Sequence, residues 1–454
     1  MNRTAVLNVV GLSSNLLAMM PFLSQWLDNN KYAKVQPAFP AVTTTAQYTY
    51  LTGCAPKEHG IVGNGWYFRE ECEVKFWRQS ANLVQQTTLW ERLKEEDPSF
   101  TCANMFWWYN MYSSADFSVT PRPIYTADGR KIPDVYANPL SLRDRLQKKL
   151  GRFPLFEFWG PNTSINSSQW IAKAAMLVDE WHAPTLNLIY LPHLDYCLQK
   201  YGHDYQKIAQ DLKELDELLH SLITYFESLS VEVVVLSEYG ITNVDTTIAL
   251  NRLLRTHGFI TVKEELGKEL LDPGASRAFA VADHQVAHVY VKDAKDIPIV
   301  RELLKAQEGI AEVLDADGKK SLGVDHDRAG ELIAIAKENV WFTYYYWLND
   351  AKAPDFAPTV DIHRKPGYDP AELFIDPEIK YPKAKVIGKL LLKKMGFRTL
   401  LDVIPLEGSF VKGSHGVRPQ SKDYWPIYAS SNLETEEVAA SDVYHLLYKT
   451  IYPN

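Results

Sequence analysis

Nowhere in its 454 residues does the chain contain an apolar run of the roughly 20 residues needed to cross a bilayer, so no membrane span is expected. Its four cysteines, Cys54, Cys72, Cys102 and Cys197, form no CxxC pair, which excludes zinc-ribbon and thioredoxin-type motifs and leaves reduced, structural thiols as the expectation. Positive charge is in deficit: 48 Lys and Arg against 56 Asp and Glu give a net charge of −8. A nucleic-acid polymer is therefore not an expected partner, whereas a local basic pocket for a small anion is compatible with the balance. The opening residues MNRTAVLNVVG lack an apolar signal stretch with a small-residue cleavage site, from which a cytoplasmic location is expected. Internal repeats and low-complexity tracts are also missing.

Against these absences stands an ordinary globular composition, with 46% hydrophobic and 23% charged residues. Strand-like segments at Ala5–Val10, Phe100–Phe106, Pro154–Trp159, Thr185–Leu191 and Val231–Leu236 alternate with helical patterns at Leu16–Asn29, Gln169–Trp181 and Tyr205–Ser228. Such alternation predicts an α/β fold, a mostly parallel sheet with helices on both faces. In the last helix Ile208, Leu212, Leu215, Leu218, Leu219, Leu222 and Ile223 mark one buried face. From about residue 243 to 369 the elements shorten and an aromatic run, WFTYYYW, intervenes. We expect a core over residues 1–242, a cap insertion over 243–369, and a return of the core with a C-terminal tail over 370–454.

Two stretches carry chemistry. VEVVVLSEYG is an apolar strand that stops at Glu238, Tyr239 and glycine, as a buried parallel strand does where its carboxyl edge opens onto a site. PAFPAVTTTAQYTYLTG places Thr43, Thr44 and Thr45 at the start of a helical pattern. These threonines are suited to capping the helix, and equally to presenting a hydroxyl to a phosphate-like anion at the positive end of its dipole.

The segment FPAVTTTAQYTYLTGCAPKEHGIVGN resembles the nucleotide pyrophosphatase/phosphodiesterase branch of the alkaline phosphatase superfamily, in which a nucleophilic threonine lies nine residues before the Thr of a TG pair. Here that position is Thr43. The resemblance recurs in order through LNVVGL, LIYLPHLDYCLQKYG, VVVLSEYG and GSHG, from Val6 to His415. It implies an alkaline-phosphatase-like three-layer sandwich with an inserted cap, and a hydrolase acting on a small phosphorylated or phosphonate metabolite. Two zinc ions would ordinarily serve such a site, one activating the hydroxyl and both clamping developing charge.

This chain departs from that pattern at several ligands. Val10 stands where the first-strand Asp is expected, Gln199 where a His should follow Asp195, and the usual Asp-His pair is Glu238-Tyr239. Asp195, Glu238 and His415 remain as metal-ligand candidates. A faithful two-zinc site is not expected; a reduced site for zinc, magnesium or calcium is, with Gln199 better suited to a hard ion than to zinc.

Further site-lining candidates are Asn64, after the nucleophile helix; His193, which would share a side with Asp195 if the strand end stays extended; and His363, Arg364 and Lys365, a cationic loop able to hold an anion or to form a solvated turn. His59 and His288 read as structural, and Asn110 and Tyr112 as pocket candidates at the end of the second strand. Three activities fit the residues: hydrolysis through Thr43 with a reduced metal site, binding of a phosphorylated metabolite without catalysis, or metal-independent acid-base chemistry by Glu238, Tyr239 or His193.

Overall fold

A computed structural model describes residues 1–453. Strands β1 (Thr4–Val9) and β6 (Leu186–Leu191) are buried along their whole length, which their near-continuous apolar sequences anticipate for central strands of a parallel sheet. Around them run β2 (Lys31–Gln36), β3 (Cys102–Met105), β4 (Phe117–Pro121), β5 (Val135–Asn138) and β7 (Glu232–Leu236). Two late strands, β12 (Ile427–Ser430) and β13 (Glu437–Ala439), complete a nine-stranded sheet of order β13-β2-β12-β7-β1-β6-β3-β4-β5. Its pairings are mostly parallel; the antiparallel ones are β7 with β12, β2 with β12, and β4 with β5.

A second sheet, of order β8-β9-β11-β10, comprises β8 (Ala278–Asp283), β9 (Val286–Val291), β10 (Ile310–Leu314) and β11 (Leu332–Ala336). It has a core of its own built around Ala280, Val289, Leu332 and Phe342. The β8–β9 hairpin turns through His284 at φ +61° and Gln285, and this tip reaches the carboxyl edge of the large sheet, where the backbone N–H of Gln285 donates to the His415 carbonyl.

Helices α1 (Pro21–Asn29), α3 (Ile165–His182) and α5 (Tyr205–Ser228) pack together, α5 burying Ile208, Leu212, Leu215, Leu219, Leu222, Ile223 and Phe226. That is the predicted stripe, with Leu218 at its half-buried margin. Helix α2 (Thr43–Thr52) packs against α7 (Val443–Ile451).

Three expectations are corrected. Leu16–Asn29 is not one helix: a 3-10 segment over Ser14–Met19 precedes α1, whose first residue, Pro21, has no N–H with which to continue the turn behind it. Pro154–Trp159 is not a strand but holds a 3-10 turn over Leu155–Glu157 between prolines and a glycine-containing bend. The segment after β6 leaves the extended conformation at Pro192 and forms α4 (His193–Tyr201).

Register brings the site together. Val9 pairs with Leu191, and Asn8 with both Tyr190 and Leu236, so β1, β6 and β7 end level and deliver Val10, α4 and Glu238-Tyr239 to one edge. Gly11 and Gly240, just beyond these ends, bridge each other. A Cβ on Gly240 would lie 1.7 Å from the Tyr424 carbonyl oxygen, a close approach open only to glycine. Gly240→Ala is expected to destabilise the fold by more than about 3 kcal/mol, a clash against backbone rather than a movable side chain; urea denaturation measures it.

Candidate active site

Helix α2 opens with Val42 as its N-cap, so the threonines occupy the first turn instead of capping it. Two are held by loop carbonyls: the Thr44 hydroxyl donates to Gly63 (2.8 Å) and that of Thr45 to Ile61 (3.0 Å). Thr43 differs. Its Oγ lies 3.1 Å from the Tyr239 hydroxyl and faces the Glu238 carboxyl.

The Tyr239 hydroxyl donates in turn to Asp195 Oδ1 (3.2 Å), while Gln199, one helical turn further along α4, donates to Asp195 Oδ2 (2.7 Å). Tyr368 closes the chain by donating to Gln199 Oε1 (3.1 Å). Above the phenol lies the His415 ring, parallel at 3.5 Å between centroids; His284 packs on His415 at 3.7 Å and on Tyr368 at 3.7 Å. His415 Nδ1 is 2.7 Å from the Ala41 carbonyl and so carries its proton there, leaving Nε2 without a hydrogen-bond partner, 3.8 Å from Asp195.

Glu238 is fully buried. Its Oε1 accepts from Asn8 Nδ2 and Gln47 Nε2, both at 2.6 Å, and its Oε2 has no partner. Burial pushes its carboxyl up to about 8, and pushes Asp195 up to about 7 against the opposing bonds from Gln199 and Tyr239. Burial also holds His415 and His284 well below the ordinary imidazole value. The centre is close to neutral at pH 7.

The residues present do not fit two zinc ions. Val10 offers methyl groups, and the Tyr239 hydroxyl lies between Thr43 and Asp195, the two donors that separate ions would engage. Both Asp195 oxygens are occupied by O–H and N–H donors, and the Gln199 oxygen by Tyr368. The reduced site expected at Asp195, Glu238 and His415 is not assembled as a ligand set: among the described residues no group of three or more His, Cys, Asp or Glu is gathered as ion ligands, although Glu238 Oε2 and His415 Nε2 have no hydrogen-bond partner.

Other candidates fall outside the centre. His193, turned away by the start of α4, places Nε2 3.0 Å from Asp211 on α5, so it does not share a side with Asp195. Lys365 is buried between Asp369 (2.7 Å) and Glu372 (2.8 Å), which outweigh desolvation and keep it charged; it is not free to hold an anion. His363 and Arg364 are exposed. Asn64 orients its surroundings: its Oδ1 accepts from the Thr44 N–H and its Nδ2 donates to Asp283, which is 2.9 Å from His284 Nδ1. His59 and His288 make buried hydrogen bonds, as a structural role requires. Asn110 is consumed by the carbonyls of Asn104 and Val119, and Tyr112 is exposed. An aromatic wall of Trp77, Trp108, Trp159, Tyr196 and Tyr368 stands beside the centre.

The family model for type I phosphodiesterase/nucleotide pyrophosphatase matches residues 4–369. The chain belongs to this family. Its fold is that of solved alkaline-phosphatase-like structures. An inactive variant of murine ectonucleotide pyrophosphatase/phosphodiesterase 5 in complex with AMP has a TM-score of 0.58 at 15% identity, covering 99% of this chain and 95% of that one. Phosphonoacetate hydrolase from Sinorhizobium meliloti, in complex with phosphonoformate, has a TM-score of 0.61 at 13% identity over 99% and 96%. The human phosphodiesterase 5 counterpart has a TM-score of 0.57 at 15% identity over 99% and 94%. No curated protein matches the chain by sequence.

Four residues of the centre were not assigned from the sequence. Asn8 has a legible signal, an amide inside an otherwise apolar central strand, and Gln47 lies one turn after Thr43. His284 and Tyr368 reach the centre through tertiary packing, which spacing does not reveal. Because the raised carboxyl of Glu238 keeps its proton in the fold between about pH 4.5 and 8 while the unfolded chain loses it, stability should fall as pH rises through that window, by up to about 1.4 kcal/mol per pH unit. Glu238→Gln should flatten this slope and raise the melting temperature at pH 8, as read by thermal unfolding across pH.

Proposed function

We propose that the chain is a phosphodiesterase-like hydrolase for a small phosphorylated or phosphonate molecule, with Thr43 as nucleophile and Glu238 as its proton acceptor. The observation that carries this reading is the Thr43 hydroxyl at the start of α2, between the Tyr239 hydroxyl at 3.1 Å and a carboxyl raised to about 8. Thr43 Oγ attacks phosphorus as Glu238 takes its proton; the ester bond to the leaving group breaks, and Tyr239, now donating to Asp195, shifts its proton toward the departing oxygen. Water then attacks the phosphothreonine, giving one proton to the Tyr239 phenolate as its oxygen bonds phosphorus, while Glu238 returns its proton to the departing Thr43 oxygen. The α2 N-terminus supplies the positive field for the anion. Family membership and structural neighbours that bind AMP and phosphonoformate support a small phosphorylated ligand. Residues 243–369, with the His284 tip and Tyr368, serve in this reading as a cap, and the four free thiols fit a cytoplasmic setting.

A second reading has its own observation. Thr43 is 3% exposed, and its Tyr239 partner occupies space between Thr43 and Asp195, so the same centre could bind a phosphorylated metabolite without turning it over.

The two readings part in one experiment. Under the first, a chromogenic phosphodiester is hydrolysed after exhaustive chelation, kcat/KM rises with pH to a plateau above about 8, and Thr43→Ala lowers it by at least about 1,000-fold. Activity that vanishes on chelation and returns with added metal overturns the proton-acceptor role of Glu238. No turnover, together with a melting temperature raised by AMP, selects the binding reading.

A further inference from the structure

Helix α6 (Pro382–Lys394) is amphipathic in the wrong sense for a helix packed on a globular core. None of its residues is buried. Its inner side is held by Val386 against a small cluster of Ala371, Val403 and Ile404, by Lys385 donating to the Asp402 carbonyl (2.7 Å), and by Lys389, which bonds the Leu400 carbonyl and the Asp402 carboxylate. Its outer face carries Ile387, Leu390, Leu391 and Met395, at spacings of three, four and eight, exposed by 49–66%. The loop that follows adds Phe397 at 61%. Residues 379–401 contribute nine of the 22 exposed large apolar side chains among the described residues.

Charge decides what covers this face. In a chain of net charge −8, residues 379–401 hold seven Lys or Arg and no Asp or Glu. A second copy docked face to face would oppose two such clusters, at a cost that grows at low salt. A bilayer surface with anionic lipids accommodates both features, because Leu, Ile, Met and Phe enter the acyl boundary while lysine stems extend to the phosphates. Thirteen residues are too few to span a bilayer, so the helix would lie in its plane.

We propose that α6 and the loop to Leu401 form an interfacial anchor that docks the protein onto an anionic membrane surface. The test is sedimentation of the full chain with vesicles of phosphatidylcholine alone or phosphatidylcholine mixed with phosphatidylglycerol, at low and high salt. The chain should sediment with the anionic vesicles at low salt and be released by high salt. The triple variant Ile387→Glu, Leu391→Glu, Phe397→Glu should reduce binding by more than about tenfold with an unchanged melting temperature, since these side chains are exposed in the folded protein. The paired variant Lys383→Glu, Lys394→Glu should weaken it through charge alone. Equal sedimentation with both vesicle types, or binding indifferent to the triple variant, overturns the proposal. So does a concentration-dependent dimer that the triple variant dissolves without any vesicle binding, which would make the occupant a second copy.

Discussion

The hydrogen bond from the Tyr239 phenol to Asp195 is the interaction around which the centre is organised. A buried carboxylate needs compensation, and there are three ways to supply it: a cation, several hydrogen-bond donors, or a proton. At Asp195 the phenol and the Gln199 amide donate, and the carboxyl rises only to about 7. At Glu238 the two amides of Asn8 and Gln47 donate to one oxygen while the other has no partner, and the carboxyl rises to about 8. The replaced ligands thus form a consistent set. Where the two-zinc pattern implied by the resemblance would set anions and imidazoles around cations, this chain sets amides and a phenol around two carboxyls that are readily protonated.

The neighbouring rings follow from the same constraint. A phenol that must reach Asp195 has its ring fixed, and His415 stacks on it with Nδ1 anchored to Ala41. His284 and Tyr368 extend the stack, and Tyr368 returns to the start by bonding Gln199. The ring stack and the hydrogen-bond chain therefore close on each other, coupling the hairpin tip of the second sheet to α4 of the first. Removing the Gln199 amide would leave the buried Asp195 Oδ2 unpartnered, and removing the Tyr368 hydroxyl would leave Gln199 Oε1 so, which is the expensive failure in a low-dielectric interior.

The framework was legible in the sequence because it rests on local patterns: apolar strands ending in glycine at β1 and β7, the stripe of α5, and a threonine helix after a proline-rich turn. The centre was legible only in part. Thr43, Asp195, Gln199, Glu238, Tyr239 and His415 were named from the resemblance of their motifs to the family pattern, and the fold brings them together at one strand edge. His193 was misplaced because a backbone that turns into a helix at Pro192 rotates alternate residues apart, where an extended strand would have aligned them. Lys365 read as a cation able to hold an anion because spacing does not show that its side chain turns inward to pair with Asp369, four residues on, and with Glu372. Helix α6 shows the converse: its lysines and leucines were visible in sequence, but which of them face outward depends on the clamp at Asp402.

Charge placement ties the molecule's two unusual regions together. The described centre contains no Lys or Arg among the groups that bond Thr43, Asp195 or Glu238, whereas residues 379–401 carry seven. An anion entering the centre gives up hydration and gains a helix N-terminus and proton-bearing groups in place of a cation. That exchange is tolerable for one negative charge and far worse for two, because the desolvation penalty grows with the square of the charge while dipolar compensation grows only linearly. Under the hydrolase reading proposed above, the centre would favour phosphodiesters, which carry a single charge at neutral pH, over dianionic monoesters.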